Sequence, residues 1–160
     1  MAYTTASRRV ESPSADSGIF LLSLHTKKTE KIPNSEGLQF VRWSPNGRYL
    51  AARSGDDKRA LLFDFQTRRW KEIANGASLS QLTWARDAKY LYFQDLLETR
   101  EPHFRVRIPN GKSERVTDFA SMIQAGYTRC AFAGLAPDGS PLASLSRGDR
   151  DVYALDLELP

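Results

Sequence analysis

The sequence predicts an all-β fold made of repeated four-stranded antiparallel sheets, and three observations carry that expectation. A hairpin pattern recurs three times at near-constant spacing, a turn-and-strand pattern recurs three times between and after the hairpins, and apolar residues run almost continuously through the strands at Ile19 to Leu22 and Leu61 to Phe63. Fixed-period self-similarity marks a chain built from stacked supersecondary units. Continuous apolar runs suit strands covered on both faces, as in sheets stacked against other sheets.

The hairpin comes first. Ile19-Phe-Leu-Leu-Ser-Leu-His-Thr-Lys-Lys-Thr-Glu-Lys-Ile32 aligns without a gap on Ala60-Leu-Leu-Phe-Asp-Phe-Gln-Thr-Arg-Arg-Trp-Lys-Glu-Ile73, an offset of 41, and a third copy, His103-Phe-Arg-Val-Arg-Ile-Pro-Asn-Gly-Lys-Ser-Glu-Arg-Val116, follows 43 residues later. Each copy reads as a strand, a polar turn such as 66–69, and a second strand.

The second element is Trp43-Ser-Pro-Asn-Gly-Arg-Tyr-Leu-Ala-Ala52, repeated as Trp84-Ala-Arg-Asp-Ala-Lys-Tyr-Leu-Tyr-Phe93 and as Leu135-Ala-Pro-Asp-Gly-Ser-Pro-Leu-Ala-Ser144. Proline presets φ early in the turn, and Asn or Asp followed by Gly tolerates the left-handed geometry that ends it. The middle copy lacks both Pro and Gly, which puts its turn, though not its strand, in question.

Joined, the elements give four strands per repeat: 38–43, 48–53, 60–65 and 70–73. A repeat near 41 residues with four strands is the signature of a β-propeller blade. The fold class is therefore all-β: β-propeller blades, about three and a half of them, forming an open arc or partial propeller. The organisation expected is an N-terminal segment 1–17 that is flexible or completes an edge strand, a partial blade 18–37, blades 38–78 and 79–120, and an incomplete last blade 121–160. The third repeat carries extra residues between Asp118 and Phe132.

These residues resemble the TolB-like, or WD-like, propellers, whose blades carry a Trp-Ser-Pro-Asp-Gly-Lys-Tyr-Leu-Ala-like turn and strand before an Ile-Tyr-Val-Met-Asp-Leu-like third strand. Trp43 to Ala52 matches the first pattern and Asp151-Val-Tyr-Ala-Leu-Asp-Leu157 the second, so the resemblance runs from Gly18 to Leu157. More narrowly, Gly134 to Leu142 followed by Tyr153 to Leu157 is similar to the C-terminal blades of propellers attached to bacterial winged-helix regulators or protein kinases. The resemblance implies a non-enzymatic protein-interaction or sensing module within a larger bacterial signalling protein. An accessory, non-catalytic propeller of a serine-peptidase-type hydrolase, and a fragment with no independent role, are the alternatives.

Composition bounds the rest. With 41% hydrophobic and 11% aromatic residues in 160 the chain can bury a core, unlike disordered chains, which lack the apolar surface to offset conformational entropy. Cys130 is the single cysteine, so no intrachain disulfide forms. No apolar run approaches the roughly 18 residues of a membrane span, and 1–13 lacks the apolar centre of a signal peptide. The expectation is a soluble chain of the cytoplasm or the periplasm. Net charge is +4, yet the 23 Lys and Arg are interleaved with 19 acids, unlike the concentrated patch of a nucleic-acid binder. A protein or peptide is the expected partner, with self-association through open blade edges, because propellers close with about four to eight blades.

No catalytic residues, cofactor or metal ligands are expected. His25, His103 and Cys130 cannot supply the four ligands of a structural zinc site, and both histidines read as surface residues. The nucleophile elbow Gly-x-Ser-x-Gly is absent. The acidic loops Ser54-Gly-Asp-Asp-Lys58 and Ser146-Arg-Gly-Asp-Arg-Asp151 contain calcium-type oxygen ligands but match no calcium loop, and turns use the same residues. One pattern suggests a partner surface: Lys27, Lys28, Arg68, Arg69 and Lys112 fall in equivalent hairpin turns, so they share one face. Trp43 and Trp84, with Tyr49 and Tyr90, repeat in register and are expected to pack blade against blade.

Overall fold

A computed structural model of the chain describes residues 2–5, 17–98 and 102–148. It contains four antiparallel sheets in chain order. The first holds β1 (Ala2–Thr5), β2 (Gly18–Leu22) and β3 (Thr29–Lys31) in that order. Its first strand comes from the N-terminal segment and pairs with β2 from Ala2 opposite Leu21 to Thr5 opposite Gly18. The second sheet is β4 (Leu38–Trp43), β5 (Tyr49–Ser54), β6 (Arg59–Asp64) and β7 (Arg69–Asn75), each strand paired with the next. The third is β8 (Thr83–Trp84), β9 (Tyr90–Gln94), β10 (His103–Arg107) and β11 (Ser113–Thr117) in the same meander. A last pair, β12 (Arg129–Leu135) and β13 (Pro141–Ser146), follows a short helix, α1 (Ala120–Gln124).

The strands of the second sheet fall within a residue or two of the sequence expectation. The helix was not expected. It occupies the extra residues of the third repeat, and the Asp118 carboxylate accepts the Ala120 N–H at 2.9 Å to start it. No helix among the described residues is long and apolar enough to cross a membrane. The third-strand match at Asp151 to Leu157, and the end of the acidic loop that precedes it, lie outside the described residues.

Period-two geometry explains the continuous apolar runs. In β5, Leu50 and Ala52 enter a core shared with the first sheet, with Ile19, Ile32 and Phe63. Tyr49 and Ala51 point the other way, into a core with Ala60, Leu62, Leu91, Phe93 and Val106 that joins the second sheet to the third. All six residues of β5 are therefore buried. Polar ties close the same seams: Trp70 Nε1 donates to the Pro33 carbonyl at 2.9 Å, Trp84 Nε1 to the Arg42 carbonyl at 3.0 Å, and Arg53 Nη1 to the Leu79 carbonyl.

The turn before each central strand is local chemistry repeated. In the first copy Gly47 N–H donates to the Ser44 carbonyl at 3.0 Å with Gly47 at φ 73°, and Asn46 Oδ1 accepts the Arg48 N–H at 3.1 Å. In the copy without Pro or Gly the same bonds form: Ala88 N–H to Ala85 O at 3.0 Å, and Lys89 N–H to Asp87 Oδ1 at 2.9 Å. Ala88 takes the left-handed conformation at φ 57°. The aspartate's side-chain bond and the flanking strands hold the turn where the residue type disfavours it.

Two expectations are corrected. Trp43 does not pack blade against blade as Trp84 does: it is 39% exposed and stacks on Phe65 of its own sheet, centroids 4.9 Å apart and planes 10° apart. Trp84 reaches the preceding sheet through Arg42 and stacks at 6.5 Å on Tyr49. His103, expected at the surface, is 2% exposed. It aligns with Ile19 and Ala60, both fully buried core positions, so the backbone carries it inward whatever its polarity.

Candidate functional site

The five basic residues lie in three equivalent hairpin turns. In the β2–β3 turn the Lys27 N–H donates to the Ser23 carbonyl at 2.8 Å with Lys27 at φ 58°; in the β6–β7 turn the Arg68 N–H donates to Asp64 O at 2.7 Å with Arg68 at φ 55°. The β10–β11 turn closes with the Gly111 N–H on Arg107 O at 2.7 Å. Lys27, Lys28, Arg68, Arg69 and Lys112 are all exposed. Equivalent turns of successive sheets emerge at the same end of the strands, so all five belong to one rim.

That rim is laced together as well as charged. Arg68 reaches across to Glu30 of the first sheet at 2.6 Å, and Lys71 Nζ donates to Asn110 Oδ1 of the third sheet at 2.5 Å. Both partners of the Arg68–Glu30 pair are more than half exposed, which limits its strength to a fraction of a kcal/mol, about 0.2–1 at most. Arg68 is thus a cation already answered by a carboxylate, while Arg69 stands opposite Asp64 in the strand register. Asp64 is held below the usual carboxylate range chiefly by the hydrogen bond from Arg48, 3.0 Å away.

Two clefts open between sheets at this end. One of about 450 Å³ separates the second and third sheets and is lined by Tyr49, Thr67, Arg69, Lys71 and Asn110 among others. The other, about 510 Å³, separates the third sheet from the last pair and is lined by Trp84, Tyr90, Tyr92, Arg105, Pro137 and Asp138. Two charged groups of this second cleft are engaged: the Arg105 guanidinium lies 4.7 Å over the Tyr90 ring and pairs with Glu114 at 2.5 Å, and Asp138 accepts the Ser140 N–H at 2.9 Å. Hydrogen bonds from Ser140 lower the Asp138 carboxyl.

The loop 54–58 is a turn built on its own side chains. Ser54 Oγ and the Lys58 N–H both donate to Asp56 Oδ1, which lowers that carboxyl, and Asp57 pairs with Arg53 at 3.0 Å. Among the described residues no group of three His, Cys, Asp or Glu side chains is arranged to hold a metal ion. His25 is exposed in the first hairpin turn.

Comparison with solved structures decides the architecture. TolB from Acinetobacter baumannii superposes with a TM-score of 0.59 at 22% identity, over 80% of this chain and 31% of TolB. The chain is an arc of β-propeller blades. Hydrazine synthase of Kuenenia stuttgartiensis (TM-score 0.57, 16% identity, 76% of this chain and 34% of that one) and an oligogalacturonate lyase crystallised with manganese (0.50, 14%, 64% and 34%) share the fold. The chain thus spans about a third of the length of each. No protein-family model and no curated protein sequence matches it.

As a propeller arc, the chain has its central blade strands in β5, β9 and β13. All six residues of β5 are buried, as are four of the five in β9, whereas all six of β13 are exposed. Leu142 is 47% and Leu145 37% exposed there. Residue type alone conceals this, since Pro-Leu-Ala-Ser-Leu-Ser reads much like Tyr-Leu-Ala-Ala-Arg-Ser. Of the polar residues at the seam between the third blade and the last pair, Gln94, His103 and Arg105, the sequence patterns single out only His103, and as a surface residue. The signal was there, in that they align with Arg53, Ala60 and Leu62 of the preceding blade.

Proposed function

We propose that this arc of blades is a non-enzymatic interaction module that takes a protein or peptide against its open blade face and works within a larger bacterial regulatory protein, as the resemblance in the sequence implies. The observation that supports it is the β13 face. A strand whose counterparts are wholly or nearly wholly buried presents Ala143 and Leu145 to solvent on one face and Leu142 on the other, and exposed apolar surface of this kind marks interaction sites. The complementary surface that the chain itself offers is another blade, because each internal seam of the chain is one blade face laid on the next. Self-association is the simplest expression of that preference, with the rim cations Lys27, Lys28, Arg69 and Lys112 biasing an added partner toward acidic surfaces.

Light scattering of the purified chain over a concentration series tests the reading. The expected result is a mass rising above 18.0 kDa with concentration, and a return to monomer in the Ala143→Glu, Leu145→Glu double variant, which changes one face of β13. A mass fixed at one chain throughout, unchanged by the double variant, removes the β13 face as a docking surface.

A further inference from the structure

The seam between the third blade and the β12–β13 pair differs in kind from the other two. Where the second blade presents Ala51, Ala60 and Leu62 to its neighbour, the third presents Tyr92, His103 and Arg105 at the aligned positions. His103 is the odd member. Its ring is buried edge-on between Phe119, at 4.7 Å and 83°, and Phe132, at 5.0 Å and 68°. Neither Nδ1 nor Nε2 has a hydrogen-bond partner among the described residues. Gln94, opposite it in the register, uses its amide to clasp the last pair: Nε2 donates to Cys130 O at 3.4 Å and Oε1 accepts the Phe132 N–H at 3.2 Å.

A neutral imidazole with no partner costs something to bury; a charged one, with two N–H donors facing phenyl edges, costs far more. We propose that His103 is an acid-sensitive latch on the last blade: uncharged, it lets the seam close, and on protonation it drives the β12–β13 pair off the third blade so that the ring reaches water. The groups beside it do not offset the charge. On its own strand Arg105 is cationic and committed to Glu114. Next to its register partners, Asp95, just after β9, accepts the N–H groups of Ala77, Ser78 and Leu97, and Asp118, just after β11, pairs with Arg115 and accepts the Ala120 N–H. From β12 come the buried Cys130 side chain and the Phe132 ring. Burial is accordingly the cause that lowers the His103 pKa.

The sign follows. The closed seam holds His103 neutral to lower pH than the open one, where the imidazole titrates near its unperturbed value of about 6.5. Above that pH the seam is insensitive to protons. Below it the open form binds one more proton, and the opening equilibrium rises by up to about tenfold per pH unit until the buried pKa is reached.

Two histidines make the test direct. Ring resonances of the full chain are followed by NMR from pH 8 to 4.5, with exposed His25 as the solvent reference, alongside amide hydrogen exchange corrected for its intrinsic pH dependence. Expected are a late His103 titration and an acid-driven loss of protection confined to Cys130, Phe132 and their neighbours, while amides of β5 and β6 hold. His103→Leu abolishes the acid dependence; where leucine fails to fold, His103→Gln, polar and non-titrating, does the same. Titration of His103 together with His25, or acid-driven exchange in β12 that survives both substitutions, overturns the proposal.

Discussion

Replacing Phe63 by alanine tests whether the first blade packs on the second as described. Phe63 is 1% exposed, lies 5.1 Å from both Phe65 and Trp70, sits beside Leu50 of its own sheet and faces Ile19 and Ile32 across the seam. Removing the ring withdraws on the order of 120 Å² of apolar surface, about 3 kcal/mol at 25 cal/mol/Å². Loss of the two aromatic contacts brings the total to about 4 kcal/mol, within the range of roughly 3–5 for buried phenylalanines. Urea unfolding followed by tryptophan fluorescence measures it, since Trp70 touches the deleted ring. Leu91→Ala, in the seam on the other side of the second blade, is the companion, at about 2–5 kcal/mol. A Phe63→Ala loss below about 1 kcal/mol with an unchanged denaturant slope would mean the first blade does not cover the second in solution.

Three further outcomes are expected. Trp84→Ala costs about 3 kcal/mol or more, because it also leaves the Arg42 carbonyl without its donor, whereas half-exposed Trp43→Ala costs about 1–2; equal losses in urea titrations would refute the contrast. Ala88→Gly relieves a left-handed alanine worth about 1–2 kcal/mol but loosens the unfolded chain by about 0.4–1, for a net gain near 0.5 kcal/mol in thermal unfolding. Asp64, lowered by Arg48, contributes stability that is present above its unfolded pKa of about 3.9 and lost as pH falls through the depressed folded value. Asp64→Asn therefore flattens the acid limb of a stability–pH curve, and an unaltered limb would assign it to other groups.

Much of the architecture was legible because it is encoded locally. Ser44 to Gly47 carries its own hydrogen bonds, and Ala136 to Ser140 repeats them, so turn residues alone located the hairpins. The hairpin alignment located β2, β6 and β10 to within a residue. The candidate rim was legible for the same reason, since Lys28, Arg69 and Lys112 lie at repeat-equivalent positions. What the alignment could not supply was the pairing across the rim: Glu30 neutralises Arg68 from 38 residues away in the chain.

The sequence by itself determined the four-strand repeat, its strand order, its turns and the fact that its central strands must be covered on both faces, because φ/ψ preference and period-two alternation act within a few residues. The tertiary structure decided what each face meets. Trp43 and Trp84 occupy the same place in their repeats, yet only Trp84 joins one blade to the preceding one. His103 shares its place with Ile19 and Ala60, and so is buried without a partner. Leu142 and Leu145 lie exposed in a strand whose counterparts, β5 and β9, are buried. Burial is a property of the neighbouring blade, and a repeat unit cannot encode its neighbour.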